Sequence, residues 1–450
     1  MTLKNYFRRL VTWALVGTLM ACDIGDDDRP SSTVEEPKTV FSPTKKKVKE
    51  RFSTTINSFG LDLSPVDVAL APDGAFLMMY QHRTARVLKP PPDPKNIVED
   101  LNRFASAPAN DGVAFRYVYG DGSLGREVDL KQEGTQAQYG VGIATVGDGH
   151  LLVTNLAHNI GNYRGFELVR LSNLGEVVSR KTFHAGENLR LRSFATNDEG
   201  QLFVVGTVKS DDLGEKFVWK MGDAPPPRRD EVHGYYWAMF DSSLKLLWEH
   251  QLLTQSSATP TGAVFAADGH PCFAASQLDQ TLLLSKKDRS TGETIWSKTN
   301  KSGGMHTSPY LFETSNASLV VLWKSWADSA PALQVAVHDA SGELTGAYIH
   351  IMGRKAEDLA SVIQHDGGFV AVFEENYSGR EPDVDYLHLL RVDNDGRKTW
   401  SQSVSFDRLS GYHRLGLDHR GQVMVLNGTY QQEHEVFDVL VGDERFQPGD

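Results

Sequence analysis

Six polar residues recur at one place in a repeated pattern. Tyr139, Arg190, His306, Asp358, Tyr412 and His413 each stand eight to eleven residues ahead of a tight turn carrying Gly or Asn. A guanidinium, two imidazoles, a carboxylate and two phenols gathered at one opening could hold a small anionic or peptide ligand. The arginine would pair with an oxyanion and the rings would supply flat apolar surface. The same set would equally serve as solvated lining of a wet channel. The chain has no HExxH, no GxSxG, no P-loop and no Cys/His cluster with zinc spacing, so no catalytic residue, metal ligand or cofactor is assigned. Asp393-Asn394-Asp395-Gly396 opens like a calcium loop, yet Val404 stands where the twelfth-position Glu is needed, and the segment reads as a turn. Asp383 and Asp385 share a loop without further oxygen donors in sequence. Cys272, within HPCFAAS, reads as a small buried hydrophobe.

The elements that must position these residues announce themselves through two alternating turn types. The first separates apolar runs, as in VALAPDGAFLMMY, GIATVGDGHLLVTN, SFATNDEGQLFVVGT, AVFAADGHPCFAAS, YLFETSNASLVVLW, SVIQHDGGFVAVFE and LGLDHRGQVMVLNG. Each predicts a β-hairpin, because Gly or Asn supplies the positive φ of a tight turn. The second falls at Gly122, Gly175, Leu244, Gly292, Gly342, Gly396 and Gly442. From a second turn to the next first turn the spacing is 25 residues at 175 to 200, 244 to 269, 292 to 317, 342 to 367 and 396 to 421. Two hairpins per unit, repeated about every 50 residues, predict an all-β fold of four-stranded blades around an axis. The expected architecture is a seven-bladed β-propeller over residues 50–450, with six or eight blades as the range.

Trp248, Trp296 and Trp400 each lie four residues past a second turn, at the start of the fourth strand, and Phe446 keeps the same offset. An aromatic there buries about 150–250 Å² against the neighbouring blade, a structural docking role rather than a catalytic one. The fullest copy, residues 288–296 (DRSTGETIW), resembles the D-x-x-T-G-x-x-x-W docking motif of quinoprotein-type (PQQ-like) propeller repeats. The resemblance is specific over one blade and extends to the rest as outline. Lipid-anchored propellers of this repeat class imply a protein-binding scaffold. Its quinone-dependent dehydrogenases use an adjacent Cys pair, which this chain lacks, so no cofactor is carried over.

Lys4, Arg8 and Arg9 precede an apolar run at 10–21 (LVTWALVGTLMA) too short to span a bilayer, which reads as a signal peptide over residues 1–21. Its end, Leu19-Met20-Ala21-Cys22, resembles the lipobox of bacterial lipoproteins, which makes Cys22 the acylated first residue of the mature chain. Residues 22–49, rich in charge, Pro and Ser, read as a disordered tether. Processing leaves 43 basic against 58 acidic groups, a net charge of −15, which disfavours nucleic acid and any basic footprint on anionic lipid. The expected location is the bacterial cell envelope, with the membrane reached through the lipid anchor.

Long insertions at 84–112, with a short helix expected within it, and at 220–234, and shorter ones at 326–332 and 377–385, all interrupt connections between second and third strands. They gather on one face, the face on which the channel opens among the six polar residues. The sequence therefore supports a lipid-anchored, non-enzymatic scaffold binding protein or peptide; the alternative is an envelope enzyme using the channel mouth. After Phe446 the chain is too short to complete its last blade, since Pro448 cannot donate to a ladder. Residues about 50–57 are expected to supply that outermost strand.

Overall fold

The computed structural model describes residues 45–47, 52–56, 61–70, 75–84, 112–119, 123–130, 137–159, 162–184, 188–209, 233–254, 258–277, 281–301, 309–327, 330–351, 356–375, 385–406, 412–417, 423–431 and 434–441. The readings of residues 1–44, and with them the signal peptide, Cys22 and most of the tether, lie outside the described residues. So do His306, Asp383, Phe446, the helix expected within 84–112 and the interiors of the longer insertions.

Alternating apolar and polar residues broken by tight turns give antiparallel strands, which among the described residues hydrogen-bond into seven sheets. Sheet 1 holds Leu61–Leu70, Phe76–Thr84, Gly112–Val118 and the short Val128–Asp129. Sheet 2 holds Ala137–Val146, Gly149–Asn159, Asn162–Leu171 and Val177–Phe183; sheet 3 holds Leu189–Thr196, Leu202–Lys209, His233–Phe240 and Leu246–Thr254. Sheet 4 holds Ala258–Phe265, Pro271–Gln277, Thr281–Lys287 and Thr294–Lys301; sheet 5 holds Tyr310–Glu313, Leu319–Ala327, Ala330–His338 and Leu344–Ile351. Sheet 6 holds Ala356–Gln364, Gly368–Glu375, Asp385–Asp393 and Lys398–Phe406, with Lys45–Lys47 added in parallel along its outer edge. These six sheets take their four main strands consecutively from the chain. Sheet 7 takes three, Tyr412–Leu417, Val423–Gln431 and His434–Val441, and its outermost strand is Phe52–Ile56. The register there pairs Phe52 with Val439 and Ile56 with Glu435, so the chain closes on itself where the sequence pattern predicts.

In each sheet the first strand is innermost. The inner strands of sheets 1 to 5 pack in succession, the inner strand of sheet 6 meets the middle strands of sheet 5 and the inner strand of sheet 7, and the latter returns to sheet 1. Buried apolar clusters fill six successive joints, each drawn from two neighbouring sheets. The core is therefore a ring of inter-sheet seams around an axis.

The second turns are built alike. The side-chain oxygen of their first residue accepts from backbone N–H groups further on: Asp241 from Ser243 and Lys245, Asp288 from Ser290 and Thr291, Asp339 from Ser341 and Glu343, and Asp393 from Asp395 and Arg397. Residues 393–396 thus form a self-satisfied turn, as the sequence predicts, and among the described residues no group of three or more His, Cys, Asp or Glu could hold a metal. Where a glycine ends the turn, at 292, 342 and 396, it meets an aromatic of the preceding sheet. A Cβ on Gly292 would lie 2.5 Å from the Trp248 ring, and one on Gly342 would lie 2.8 Å from that of Trp296. Trp248 Nε1 donates to Arg289 O at 2.8 Å, Trp237 Nε1 to Gly292 O at 2.9 Å, and His250 Nε2 to Thr291 O at 2.7 Å. Trp400 packs against the cluster shared by sheets 6 and 7.

The same joint between sheets 3 and 4 buries Lys287, whose Nζ stands 4.1 Å over the Trp237 ring and donates to Thr294 Oγ1 at 2.6 Å. Burial lowers its pKa from 10.5 to about 8. Between those values the unfolded chain holds the proton that the folded chain has released, so stability climbs with pH. Urea unfolding followed from pH 8 to 10.5 is expected to show this climb, and Lys287→Met to flatten it. A slope that Lys287→Met leaves unchanged would assign the effect to other groups.

Candidate functional site: the axial channel

The inner strands bound an axial cavity of about 1060 Å³. They do not run straight along it. The pairing of first and second strand shifts register in sheets 1, 2, 3, 4 and 6: between Pro65 and Asp67, Gly140 and Gly142, Leu191 and Ser193, Pro260 and Gly262, and, twice in sheet 6, between Ala356 and Asp358 and between Leu359 and Ser361. A bulge frees one N–H and one C=O from the ladder and re-aims the side chains beside it. Side chains of the preceding sheet satisfy the freed groups. Gln81 accepts from Gly140 N at 3.0 Å and donates to Gln138 O at 2.6 Å; Asn155 accepts from Leu191 N at 2.7 Å and donates to Leu191 O at 3.0 Å. The bulges thereby become fixed joints between sheets.

Two layers of functional groups result. Deeper in the channel, Arg414 of sheet 7 donates through Nε to Val66 O at 3.1 Å and through Nη1 to Ala360 O at 3.2 Å, joining sheets 7, 1 and 6. Beside it Asp67 accepts from Val68 N and Ile143 N, both at 2.9 Å. Burial pushes the Asp67 carboxyl up, while those N–H groups and the charge of Arg414 pull it back. Burial also raises the Tyr310 phenol, which donates to Ala360 O at 3.3 Å.

Nearer the ends where the inner strands of sheets 2 and 3 begin, Arg190 and Arg192 enter the cavity from the inner strand of sheet 3. Their neighbours Leu189 and Leu191 are buried in the seam with sheet 2, and strand alternation turns the two arginines to the other side. The Arg190 guanidinium carbon lies 4.3 Å from the centre of the Tyr163 ring, and Tyr139 meets Tyr163 edge-on at 5.7 Å. Burial lowers the pKa of Arg190; burial first, then the charge of Arg190, lowers that of Arg192 to about 10. Among the described residues neither Nε finds a hydrogen-bond partner.

Of the six residues singled out by spacing, Tyr139 and Arg190 line this cavity. Asp358, Tyr412 and His413 are placed by backbone alone, near the start of the inner strands of sheets 6 and 7, and His306 is outside the described residues. Sequence reasoning passed over Arg192, eight residues before Gly200, although RLR carries both cations in one alternating run. Asp67 and Arg414 stand seven residues before Gly74 and Gly421, just outside the spacing considered, and Tyr163 opens a third strand, where no spacing points at the axis. Cys272 is fully buried and burial raises its thiol to about 12, which fits the packing role expected.

A ring of antiparallel sheets whose inner strands enclose a polar axial channel is a β-propeller. Solved structures of similar outline include a Dyadobacter fermentans protein of unknown function, at 10% identity over 80% of this chain and 99% of that one, with a TM-score of 0.46. Others are Kuenenia stuttgartiensis hydrazine synthase, at 11% over 66% and 80% (TM-score 0.41), and the Dos1 propeller, at 9% over 87% and 95% (TM-score 0.41). Likenesses at this level carry no functional information. No protein-family profile and no curated protein matches the chain.

Proposed function

We propose that this chain is a lipid-anchored propeller of the bacterial cell envelope, a ring of seven blades that binds a protein or peptide on the face where second strands pass to third strands. One observation carries the reading. The second strands of sheets 1, 3 and 6 end at Thr84, Lys209 and Glu375, and the third strands resume at Gly112, His233 and Asp385, whereas the insertion expected at 326–332 is absent because Ala327 pairs directly with Ala330. Every insertion leaves from the end of its sheet at which the inner strands begin, the end that carries Tyr139 and Arg190. Loops raised on a rigid ring beside a polar opening supply a broad surface with a pocket at its centre. The test replaces residues 85–111 and 210–232 by short Gly-Ser turns in the full chain and compares crosslinked complexes recovered from native membranes. Loss of a complex formed by the parent chain supports the reading; a complex unaffected by both replacements contradicts it.

The anchor is part of the same proposal. Several acyl chains on Cys22, each contributing about 0.8 kcal/mol per buried CH₂, hold a protein at a membrane where one would not. Cys22→Ser is therefore expected to release the protein into the soluble fraction. Retention of that variant in membranes after a carbonate wash would show a second attachment.

A further inference from the structure

We infer that the channel mouth is a binding site for an oxyanion carrying two negative charges, a phosphate group or a dicarboxylate, with Arg190 and Arg192 as its ligands. This rests on the proposed binding face and gives its central pocket a ligand class. The chain as a whole carries a formal net charge of −12, yet the charged groups lining the cavity among the described residues are Arg190, Arg192, Arg414 and Asp67. Asp67 does not offset the arginines at the mouth. Its carboxylate is engaged by two backbone N–H groups and lies beside Arg414 in the deeper layer. An acidic protein thus encloses a cationic pocket, which concentrates anions where its low-dielectric walls focus the field.

The two guanidiniums are also held ready. They flank Leu191, whose N–H and C=O are both taken by the buried Asn155 carboxamide, so the bulged backbone joining them cannot relax. The Tyr163 ring packs against the Arg190 guanidinium, 4.3 Å from its central carbon, and planar, forked donors match phosphate and carboxylate oxygens in pairs. Holding two like charges this close and partly dehydrated, with an unsatisfied Nε on each, destabilises the empty protein. A dianion would neutralise both charges and satisfy those donors.

The experiment follows thermal unfolding and calorimetric binding of the full-length chain in detergent, titrated with inorganic phosphate and with succinate at constant ionic strength, and with chloride as the control anion. Saturable binding of one or both probes is expected, with a rise in Tm of roughly 2–4 °C at a hundredfold excess over Kd. Arg190→Gln and Arg192→Gln are each expected to weaken that binding about 10- to 100-fold. Arg192→Gln should at the same time raise the Tm of the unliganded protein, because it removes one of two repelling buried charges. Arg192→Lys, which keeps the charge and loses the fork, should fold and bind between the two. Phosphate alone or succinate alone answering would tell which source of the oxyanion fits. No saturable response to either probe, unchanged affinity in both Gln variants, or a lowered Tm of unliganded Arg192→Gln would each overturn the inference, the last by showing that the chain already neutralises the pair with a carboxylate of its own. Retention of the membrane complex despite such a result would leave the binding face standing and remove only the anion.

Discussion

Deleting residues 23–58 is expected to unfold the ring, while deleting residues 23–44 leaves its unfolding midpoint nearly where it was. The longer deletion removes Phe52–Ile56, which pairs along Glu435–Val439 as the outermost strand of sheet 7. What remains is a three-stranded sheet with a bare edge, and unpaired edges invite aggregation as well as costing their ladder hydrogen bonds. Sheet 7 is the one sheet that needs both ends of the chain, so its loss opens the seams to sheets 6 and 1 together. Loss of a strand that closes a cooperative ring is expected to cost roughly 3–5 kcal/mol or more. The shorter deletion spares both Lys45–Lys47 on sheet 6 and Phe52–Ile56 on sheet 7. Equal midpoints for the two truncations in denaturant would show that closure does not depend on the N-terminal strand.

The second large effect falls on the joint between sheets 3 and 4. Trp248→Ala is expected to cost roughly 3–5 kcal/mol, because it removes the ring against which the Asp288 turn lies and leaves Arg289 O without its donor. Gly292→Ala should be comparably severe for two reasons. Its φ of +77° strains any residue with a Cβ, and that Cβ would overlap the Trp248 ring and the His250 imidazole, each at 2.5 Å. The two causes can be separated. In a Trp248→Ala background part of the overlap is gone, so the pair should cost less than the sum of the singles by about 1 kcal/mol or more. Strict additivity would mean that ring and turn do not bear on each other.

Much of this architecture was legible because a tight turn advertises itself in residue type. Gly175, Gly200, Gly269, Gly292, Gly342 and Gly396 all adopt positive φ at the turns where the spacing puts them. The period is stronger evidence than composition: Leu244 and Ala317, neither favoured there, also take φ of +61° because the repeat requires it. One turn lies earlier than read, at Gly147-Asp148, since Gly149 already pairs with Val146 in the hairpin. The closing strand was legible as well: residues 52–56, within the segment the pattern names, pair along 435–439. The channel was less so. The bulge between Leu191 and Ser193 carries none of the Gly or Pro that stands at those of sheets 1, 2 and 4, so the register that brings Arg192 to the axis beside Arg190 could not be counted from the turns. Tyr163 reaches the site from a third strand, and only the assembled sheet places it under Arg190.

The central claim, that one face of the ring is the binding face, is tested most directly by photocrosslinking from each side in native membranes. A photoreactive residue at Arg164, at the start of a third strand, reports on the channel-mouth face; one at Asn173 or Ser341, in the second turns, reports on the opposite face. Adducts formed from position 164 and not from positions 173 or 341 are predicted. Adducts confined to positions 173 and 341 would place the partner on the wrong side of the ring and contradict the account.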